Sequence, residues 1–401
     1  MKLAVRGISQ HVLRRIVARV ATTPATDPSG RVELVYAAPS IQDDELASLD
    51  GYRALLTSDP HPSKRLLAHG IPIIHSTAID HLKSGDVVVL ASDGTVRTVY
   101  RPDSGSNFLF ATDRCNSNCL MCSQPPKDID DSFRVEENLE VIRLMTPAPT
   151  YLGITGGEPT LLGEGLFRQI EALRDNLPNT RVHMLTNGRR FAWHQFTDRF
   201  VEISHPAISL GIPLYADNAS HHDYVVQAPG AFDQTILGLY SLARYNQDIE
   251  IRVVLHALTI GRLRELSEFL YRNLPFVNHV ALMGLEITGY TPHNIKMLWI
   301  DPAAYQAELE DATGFLHSRG MNVSIYNHQL CVLKPTLWSF ARKSISDWKN
   351  IYLEECAVCS LRNRCGGLFK SAETRHSEHI KPFLMTSGVS ESGPIGTSAG
   401  G

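Results

Sequence analysis

The sequence predicts an α/β protein. It reads as a partial (β/α)6 barrel of the TIM type over residues 106–325, preceded by an N-terminal α/β domain over 1–105 and followed by a small cysteine-rich extension over 326–384. Two observations lead there. From about residue 106, strand-length apolar runs alternate with helix-length amphipathic segments, which is the pattern of βαβ units on a parallel sheet. The distinctive cysteine, glycine and polar segments then fall at or near the ends of successive strands, and in barrels of this type the active site gathers at the strands' C-terminal ends. A chain of 401 residues, 43% of them apolar, has room for two or three domains with sizeable cores.

Taken in order, the N-terminal unit shows strand candidates at 32–36, 71–74 and 86–90, with turns at 84–86 and 92–95. Val12, Leu13, Ile16, Val17 and Val20 share one helical face and predict an amphipathic helix. Residues 1–26 carry four arginines and no acid, which also allows a transit-peptide reading; the apolar face running on into ordinary globular sequence argues for a folded domain. In the core, strands are expected at 108–112, 151–155, 181–186, 207–212, 249–255 and 279–285. Helices are expected at 135–145, 163–176, 190–200, 231–245, 260–273 and 302–318, the last leading to a strand at 322–326. The tail, 385–401, is Ser-, Gly- and Thr-rich and predicts disorder. A net charge of −4 argues against a large nucleic-acid surface, and the longest apolar runs are strand-sized, so no membrane span is expected. Without a signal peptide the chain is expected in the cytoplasm, where clustered cysteines point to metal more than to disulfides.

The cysteines number seven and fall into two groups. Cys115, Cys119 and Cys122 form a C-x3-C-x2-C run; Cys331, Cys356, Cys359 and Cys365 lie more than two hundred residues later. Four thiolates can close every iron corner of a cubane cluster, whereas three leave one iron open to another ligand. Structural zinc is the alternative for the first group, but zinc sites favour paired C-x2-C knuckles with a fourth ligand nearby, and none is close in sequence. The second signal is Gly156, Gly157, Glu158 and Pro159, at the end of the second core strand. Paired glycines there let a ligand approach the backbone. The proline lacks a donor, which leaves carbonyls free to accept from an amino group.

On these two motifs the chain resembles the radical SAM superfamily, over about residues 106–330, and to 370 with the cysteine-rich extension. The resemblance implies that Cys115, Cys119 and Cys122 hold a [4Fe–4S] cluster whose fourth iron is chelated by S-adenosylmethionine. It implies that Gly156, Gly157, Glu158 and Pro159 line that cofactor. Met121 stands where an aromatic residue commonly packs near adenine. Asn187, Ser209 and Arg252 match places where the family contacts ribose or carboxylate; a turn, a polar strand residue and a surface cation are the plainer readings. The later cysteines resemble the SPASM/twitch-like region of peptide-modifying members. They imply a second, auxiliary [4Fe–4S] cluster, with zinc as the alternative through Cys356, Cys359, Cys365 and either Cys331 or His376. More narrowly, residues 114–126 and the preceding domain are similar to the C-type maturases of the His-Xaa-Ser peptide system. That likeness implies a small ribosomal peptide substrate, a partner radical SAM protein and an external electron donor. A radical SAM enzyme on a small molecule and a non-catalytic iron–sulfur peptide scaffold are the competing readings. His221, His222, Asp223 and Glu286 are candidates for acid or base work, with loop polarity as the plain alternative for each.

Overall fold

The structure, a computed structural model, describes residues 4–59, 63–343 and 350–384. The expected disordered tail lies outside the described residues. The first unit is an eight-stranded mixed sheet in the order β1-β8-β7-β3-β4-β5-β6-β2. Its strands are β1 (Ala4–Arg6), β2 (Ile8–Gln10), β3 (Ile16–Ala21), β4 (Leu34–Ala38), β5 (Ala54–Thr57), β6 (Ile73–His75), β7 (Val87–Leu90) and β8 (Thr95–Tyr100). Helix α1 (Lys64–His69), capped by the Ser63 hydroxyl, joins β5 to β6. β1 and β2 stand at opposite ends of the strand order yet are separated only by Gly7. The sheet therefore closes on itself, which removes its free edges. Gly7 is where the closure is tightest: a Cβ there would lie 2.1 Å from the His75 carbonyl oxygen.

The N-terminal helix expected from Val12, Leu13, Ile16, Val17 and Val20 is not formed. Ile16–Ala21 is strand β3, in the interior of the sheet between β7 and β4. Both of its faces are covered: Val20 lies inside the closed sheet with Val35, Leu56 and Val88, and Val17 packs outward against the barrel's core. A strand buried on both faces loses the period-two signature, and its run of apolar residues also satisfies a helical face. The β-branched side chains, which suit a strand, were the better guide.

The second unit is a seven-stranded, all-parallel sheet in the sequential order β15-β14-β13-β12-β11-β10-β9. Its strands are β9 (Asn107–Phe110), β10 (Tyr151–Thr155), β11 (Arg181–Leu185), β12 (Ile208–Pro213), β13 (Asp248–Leu255), β14 (His279–Gly284) and β15 (Val323–Tyr326). The connecting helices are α2 (Phe133–Leu144), α3 (Glu164–Asn176), α4 (His194–Glu202), α5 (Ala219–Val226), α6 (Ala231–Ala243), α7 (Ala257–Ile260), α8 (Leu263–Asn273), α9 (Ile295–Leu298) and α10 (Gln306–Ser318). Each core strand falls within two residues of its expected bounds; α5, α7 and α9 were not foreseen. Sequential order with at least one helix in every crossover is the open form of a (β/α) barrel.

The two units share a core. Val17, Val87, Val89 and Tyr100 of the first sheet pack in the same buried cluster as Ile142 of α2 and Leu152 of β10. The Arg53 guanidinium donates to the Val17 carbonyl at 2.6 Å and pairs with Glu140 of α2. The C-terminal extension carries a short antiparallel pair, β16 (Asn350–Ile351) and β17 (Leu368–Phe369). It is tied down by the Gln329 amide donating to the Gly367 carbonyl at 2.9 Å and the Ser377 hydroxyl donating to Asp301 at 2.7 Å. Among the described residues no helix is long and apolar enough to cross a membrane.

Four histidines are enclosed as neutral rings: burial pushes His183, His222, His256 and His328 each down to about 4. His328 shows how the neutral form is held, with Nδ1 donating to the Tyr326 carbonyl at 2.9 Å and Nε2 accepting from the Tyr305 hydroxyl at 2.8 Å. A lowered histidine pKa makes stability complete above the unfolded value near 6.5, and it drains away as pH falls from there towards 4. Each ring then contributes a loss of about 1.4 kcal/mol per pH unit. The melting temperature at pH 5.5 is expected to lie well below that at pH 7.5; equal melting temperatures would count against four buried neutral rings.

Candidate active site

The cysteine run leaves the barrel at the end of β9. Its backbone is laid directly on the turn that follows β10. The Gly157 N–H donates to the Thr112 carbonyl at 2.7 Å, and the Glu158 N–H donates to the Arg114 carbonyl at 2.8 Å. A Cβ on Gly157 would stand 2.1 Å from the Arg114 carbonyl oxygen. One on Gly156 would stand 2.6 Å from that of Thr112, and Gly156 has φ +147° besides. The paired glycines are thus required by the close approach of the cysteine loop itself, before any ligand is considered.

Glu158 is fully buried, and its carboxylate takes four hydrogen bonds. The Thr160 N–H (3.0 Å), Thr160 hydroxyl (2.7 Å) and Thr186 hydroxyl (2.6 Å) donate to one oxygen, and the Asn187 N–H (2.6 Å) donates to the other. Burial pushes its pKa up, and those donors oppose the shift. Glu158 is therefore a brace between the ends of β10 and β11. Asn187 passes the brace on, its amide donating to the Asn116 side chain at 2.6 Å. Arg189 follows, reaching the Asn116 carbonyl and donating to the Ser117 hydroxyl at 3.1 Å. On the loop's other side the Asn118 and Leu120 N–H groups donate to the Val226 and Val225 carbonyls at the end of α5. The Asn294 amide donates to the Leu120 carbonyl at 2.8 Å. Met121 is buried among Tyr215, Val225 and Leu298 and anchors the loop there.

A cavity of about 270 Å³ opens above the strand ends. Cys115, Cys119 and Cys122 line one wall, with Met121, Gly156, Gly157, Asn187 and Arg252 around it. Glu158, Pro159 and Ser209 do not line it. Ser209 is the second residue of β12 and lies low in the barrel, hydrogen-bonded to His183 Nδ1 at 2.9 Å. Arg252 is held by Glu250, to which it donates at 2.6 Å. Burial alone would raise the Glu250 carboxyl. The hydrogen bond from His279 (2.7 Å) and the charge of Arg252 outweigh burial and hold it at about 2. Sequence reasoning missed this interior Glu250–Arg252–His279 network, as well as Tyr215, Met283, Leu285 and Asn327 of the cavity wall. Glu286 lines the cavity, but the other acid–base candidates do not. His221 lies in the first turn of α5, its N–H donating to the capping Asn218 side chain at 3.1 Å; His222 accepts the Tyr215 N–H at 3.2 Å; Asp223 accepts the N–H groups of Gly230 and Phe232.

Burial pushes the Cys115 thiol up to about 11, with the Glu158 charge adding to it, and the Cys119 thiol up to about 12, with the charges of Cys122 and Cys115 adding; Cys122 is raised by burial. Among the described residues no group of three or more His, Cys, Asp or Glu side chains stands at metal-holding spacing. The donor set nonetheless fits a thiophilic cluster: three thiols share one cavity wall, and their mutual repulsion on ionisation is what a bound cation relieves. Cys331, Cys356, Cys359 and Cys365 likewise line one small apolar cavity beneath β17. The Phe383 N–H meets Cys359 Sγ at 3.4 Å, and the Gly367 N–H meets Cys365 Sγ at 3.5 Å. His376, the alternative fourth ligand, lines a different cavity, so Cys331 is the one grouped with the other three.

Residues 109–270 match the sequence profile of the Radical SAM superfamily. No curated protein matches the sequence. Among solved structures, SuiB from Streptococcus suis is 17% identical with a TM-score of 0.41, over 55% of this chain and 49% of that one. This chain thus spans about half of SuiB's length. Native anSMEcpe with bound AdoMet and Kp18Cys peptide is 14% identical with a TM-score of 0.47, over 70% and 92% of the two chains. Coproporphyrinogen III oxidase (HemN) from Escherichia coli is 14% identical with a TM-score of 0.42, over 55% and 54%.

Gly157→Ala is expected to cost about 2 kcal/mol or more, because its methyl would sit against backbone that cannot yield. Gly105→Ala, with open space around its Cβ, serves as the control. Melting curves that shift equally for the two variants would contradict this packing. Glu250→Gln removes the charge that holds Arg252 and His279, and is expected to lower stability by a few kcal/mol (about 3). Chemical denaturation against wild type reads that loss directly.

Proposed function

We propose that the radical SAM catalytic domain formed by residues 109–270 makes this chain a peptide-modifying enzyme. Cys115, Cys119 and Cys122 would hold one [4Fe–4S] cluster, with S-adenosylmethionine in the adjoining cavity. The observation that carries the reading is that cavity: three thiols from one loop and bare glycine backbone at strand ends of an open barrel, with Arg252 of β13 in the same lining. When bound, these groups supply reductive cleavage of the sulfonium and a 5′-deoxyadenosyl radical that takes a hydrogen atom from the substrate.

The chain's own residues do the rest. Three thiols leave one iron position for the amino and carboxylate groups of the methionyl end. Gly156 and Gly157 keep that side of the cavity clear of side chains. Arg252, oriented by Glu250, offers a cation for a carboxylate, and Asn187 offers an amide for a hydroxyl. Met121 and Tyr215 give an apolar wall suited to a purine and exclude water from the cavity's side. Pro159 and Ser209 would act behind this wall.

The second cysteine group, Cys331, Cys356, Cys359 and Cys365, would hold an auxiliary [4Fe–4S] cluster, with zinc the alternative. The substrate would be a small ribosomal peptide of the His-Xaa-Ser kind, the setting cytoplasmic, and an external donor and a partner radical SAM protein would take part. The resemblance over residues 114–126 and the cleft that continues from the cavity towards the second cysteine group support this reading.

The test is anaerobic incubation of reconstituted protein with S-adenosylmethionine and dithionite. It is expected to yield 5′-deoxyadenosine, and Cys115→Ala, Cys119→Ala or Cys122→Ala should reduce that yield at least about a hundredfold. Iron analysis should give about eight irons per chain for two clusters, or about four with one zinc for the alternative. Wild-type protein that binds iron but never forms 5′-deoxyadenosine would overturn the proposal.

A further inference from the structure

The cavity beside the cysteine loop is not closed on the side of β14 and β15. Gly284, Leu285, Glu286 and Asn327 line both it and a second cleft of about 50 Å³. That cleft lies between the ends of these strands, the segment at Trp299–Pro302 and the extension at 366–372. Asn327 stands at the junction, directly after β15.

Three features of Asn327 go together. Its backbone is left-handed, φ +61°, a conformation that favours glycine, that asparagine adopts more readily than most other residues, and that its surroundings here enforce. The surroundings do so: a Cβ on Gly284 would be 2.6 Å from the Asn327 carbonyl oxygen, so the two backbones are pressed together. Its amide nitrogen donates to the Gly284 carbonyl at 3.2 Å. That bond also fixes which end of the amide is oxygen, since the reverse orientation would set two oxygens against each other. The remaining atom, Oδ1, is buried and has no donor. At the far side of the cleft the Ser371 hydroxyl is buried and unpartnered in the same way.

A buried acceptor held in a fixed direction, on a residue whose backbone is clamped, where two cavities meet, is an arrangement that waits for a donor. A neutral carbonyl-type oxygen suits a neutral N–H. We infer that Asn327 is a substrate-positioning residue whose Oδ1 accepts a hydrogen bond from an amide N–H of a peptide lying across the junction, with the Ser371 hydroxyl a second polar contact further along. The inference rests on the peptide reading of the site. It adds which residue fixes the peptide's register over the cavity.

The test uses the reconstituted full-length protein and a synthetic peptide of His-Xaa-Ser repeats, with affinity read by calorimetry and 5′-deoxyadenosine per modified peptide read by mass spectrometry. Asn327→Gly removes the acceptor and relieves the backbone. It is expected to melt no lower than wild type, yet to bind the peptide about tenfold more weakly and to form several-fold more 5′-deoxyadenosine per product. If the wild type binds and modifies the peptide but Asn327→Gly does so with unchanged affinity and coupling, water satisfies Oδ1 and the assignment of Asn327 falls alone. If the wild type cleaves S-adenosylmethionine but does not bind the peptide, the peptide reading falls and this inference falls with it.

Discussion

The fully buried carboxylate of Glu158 is the interaction on which the rest of the site depends. Burying a charge without partners is prohibitive, and this one is tolerated because four donors from Thr160, Thr186 and Asn187 converge on it. The consequence is geometric. The donors belong to the turns after β10 and β11, so the ends of these two strands are locked to one point. The Glu158 backbone N–H meanwhile holds the Arg114 carbonyl, one residue before the first cysteine. The cysteine loop thus inherits its position from a carboxylate that never faces the cavity. Its outer side needs separate support, and the contacts to α5 and Asn294 supply it.

This division of labour explains what could and could not be read from the chain. The seven core strands and most of their helices were legible because a long amphipathic helix follows each of the first six strands and the apolar runs are of the right length, so period and spacing agreed. The three thiols and the paired glycines were legible because their spacing is unusual. The role of the glycines was only half legible: Gly157 reads as an opening for a ligand, while the structure shows it is also the seat of the cysteine loop, a contact between segments over forty residues apart. Glu158 read as a cofactor-lining residue and Ser209 as a rim residue. Neither reaches the cavity: the Glu158 carboxylate is turned onto the donors of Thr160, Thr186 and Asn187, and Ser209 lies too deep in β12. Glu250, His183 and His279 were invisible, since a charged network inside a barrel is made by neighbouring strands in register and leaves no local pattern.

In the N-terminal unit the failure has another cause. A helix was expected over residues 12–20 because apolar residues at those spacings satisfy a helical face. The chain there is instead an interior strand of a closed sheet, packed on one side by the sheet's own interior and on the other by the barrel's core. Closure through Gly7 depends on residues from β1, β6 and β8 meeting. Such long-range pairing is fixed by tertiary packing, and no window of sequence contains it.

An open barrel of sequential strands has two edges, and the flanking units account for both. At β9 the Asn138 amide of α2 takes the Phe110 carbonyl at 3.1 Å, and α2 in turn lies against β3 of the first sheet. At β15 the chain returns from the extension: Ala341 bridges Ile325 in parallel fashion, and the Arg342 N–H donates to the Ile325 carbonyl at 2.8 Å. Unpaired edge strands invite pairing with other chains, so each cover has a reason to exist apart from chemistry. The cover at β15 has a further effect. It brings the segment that begins at Cys331 back over the strand ends, and Gly367, two residues after Cys365, is then fixed to Gln329. The second cysteine group and the cleft beside Asn327 are therefore set by the same few hydrogen bonds that close the sheet's edge. Loosening that edge would disturb the cleft before it disturbed the cysteine loop, which is braced independently from β10 and β11.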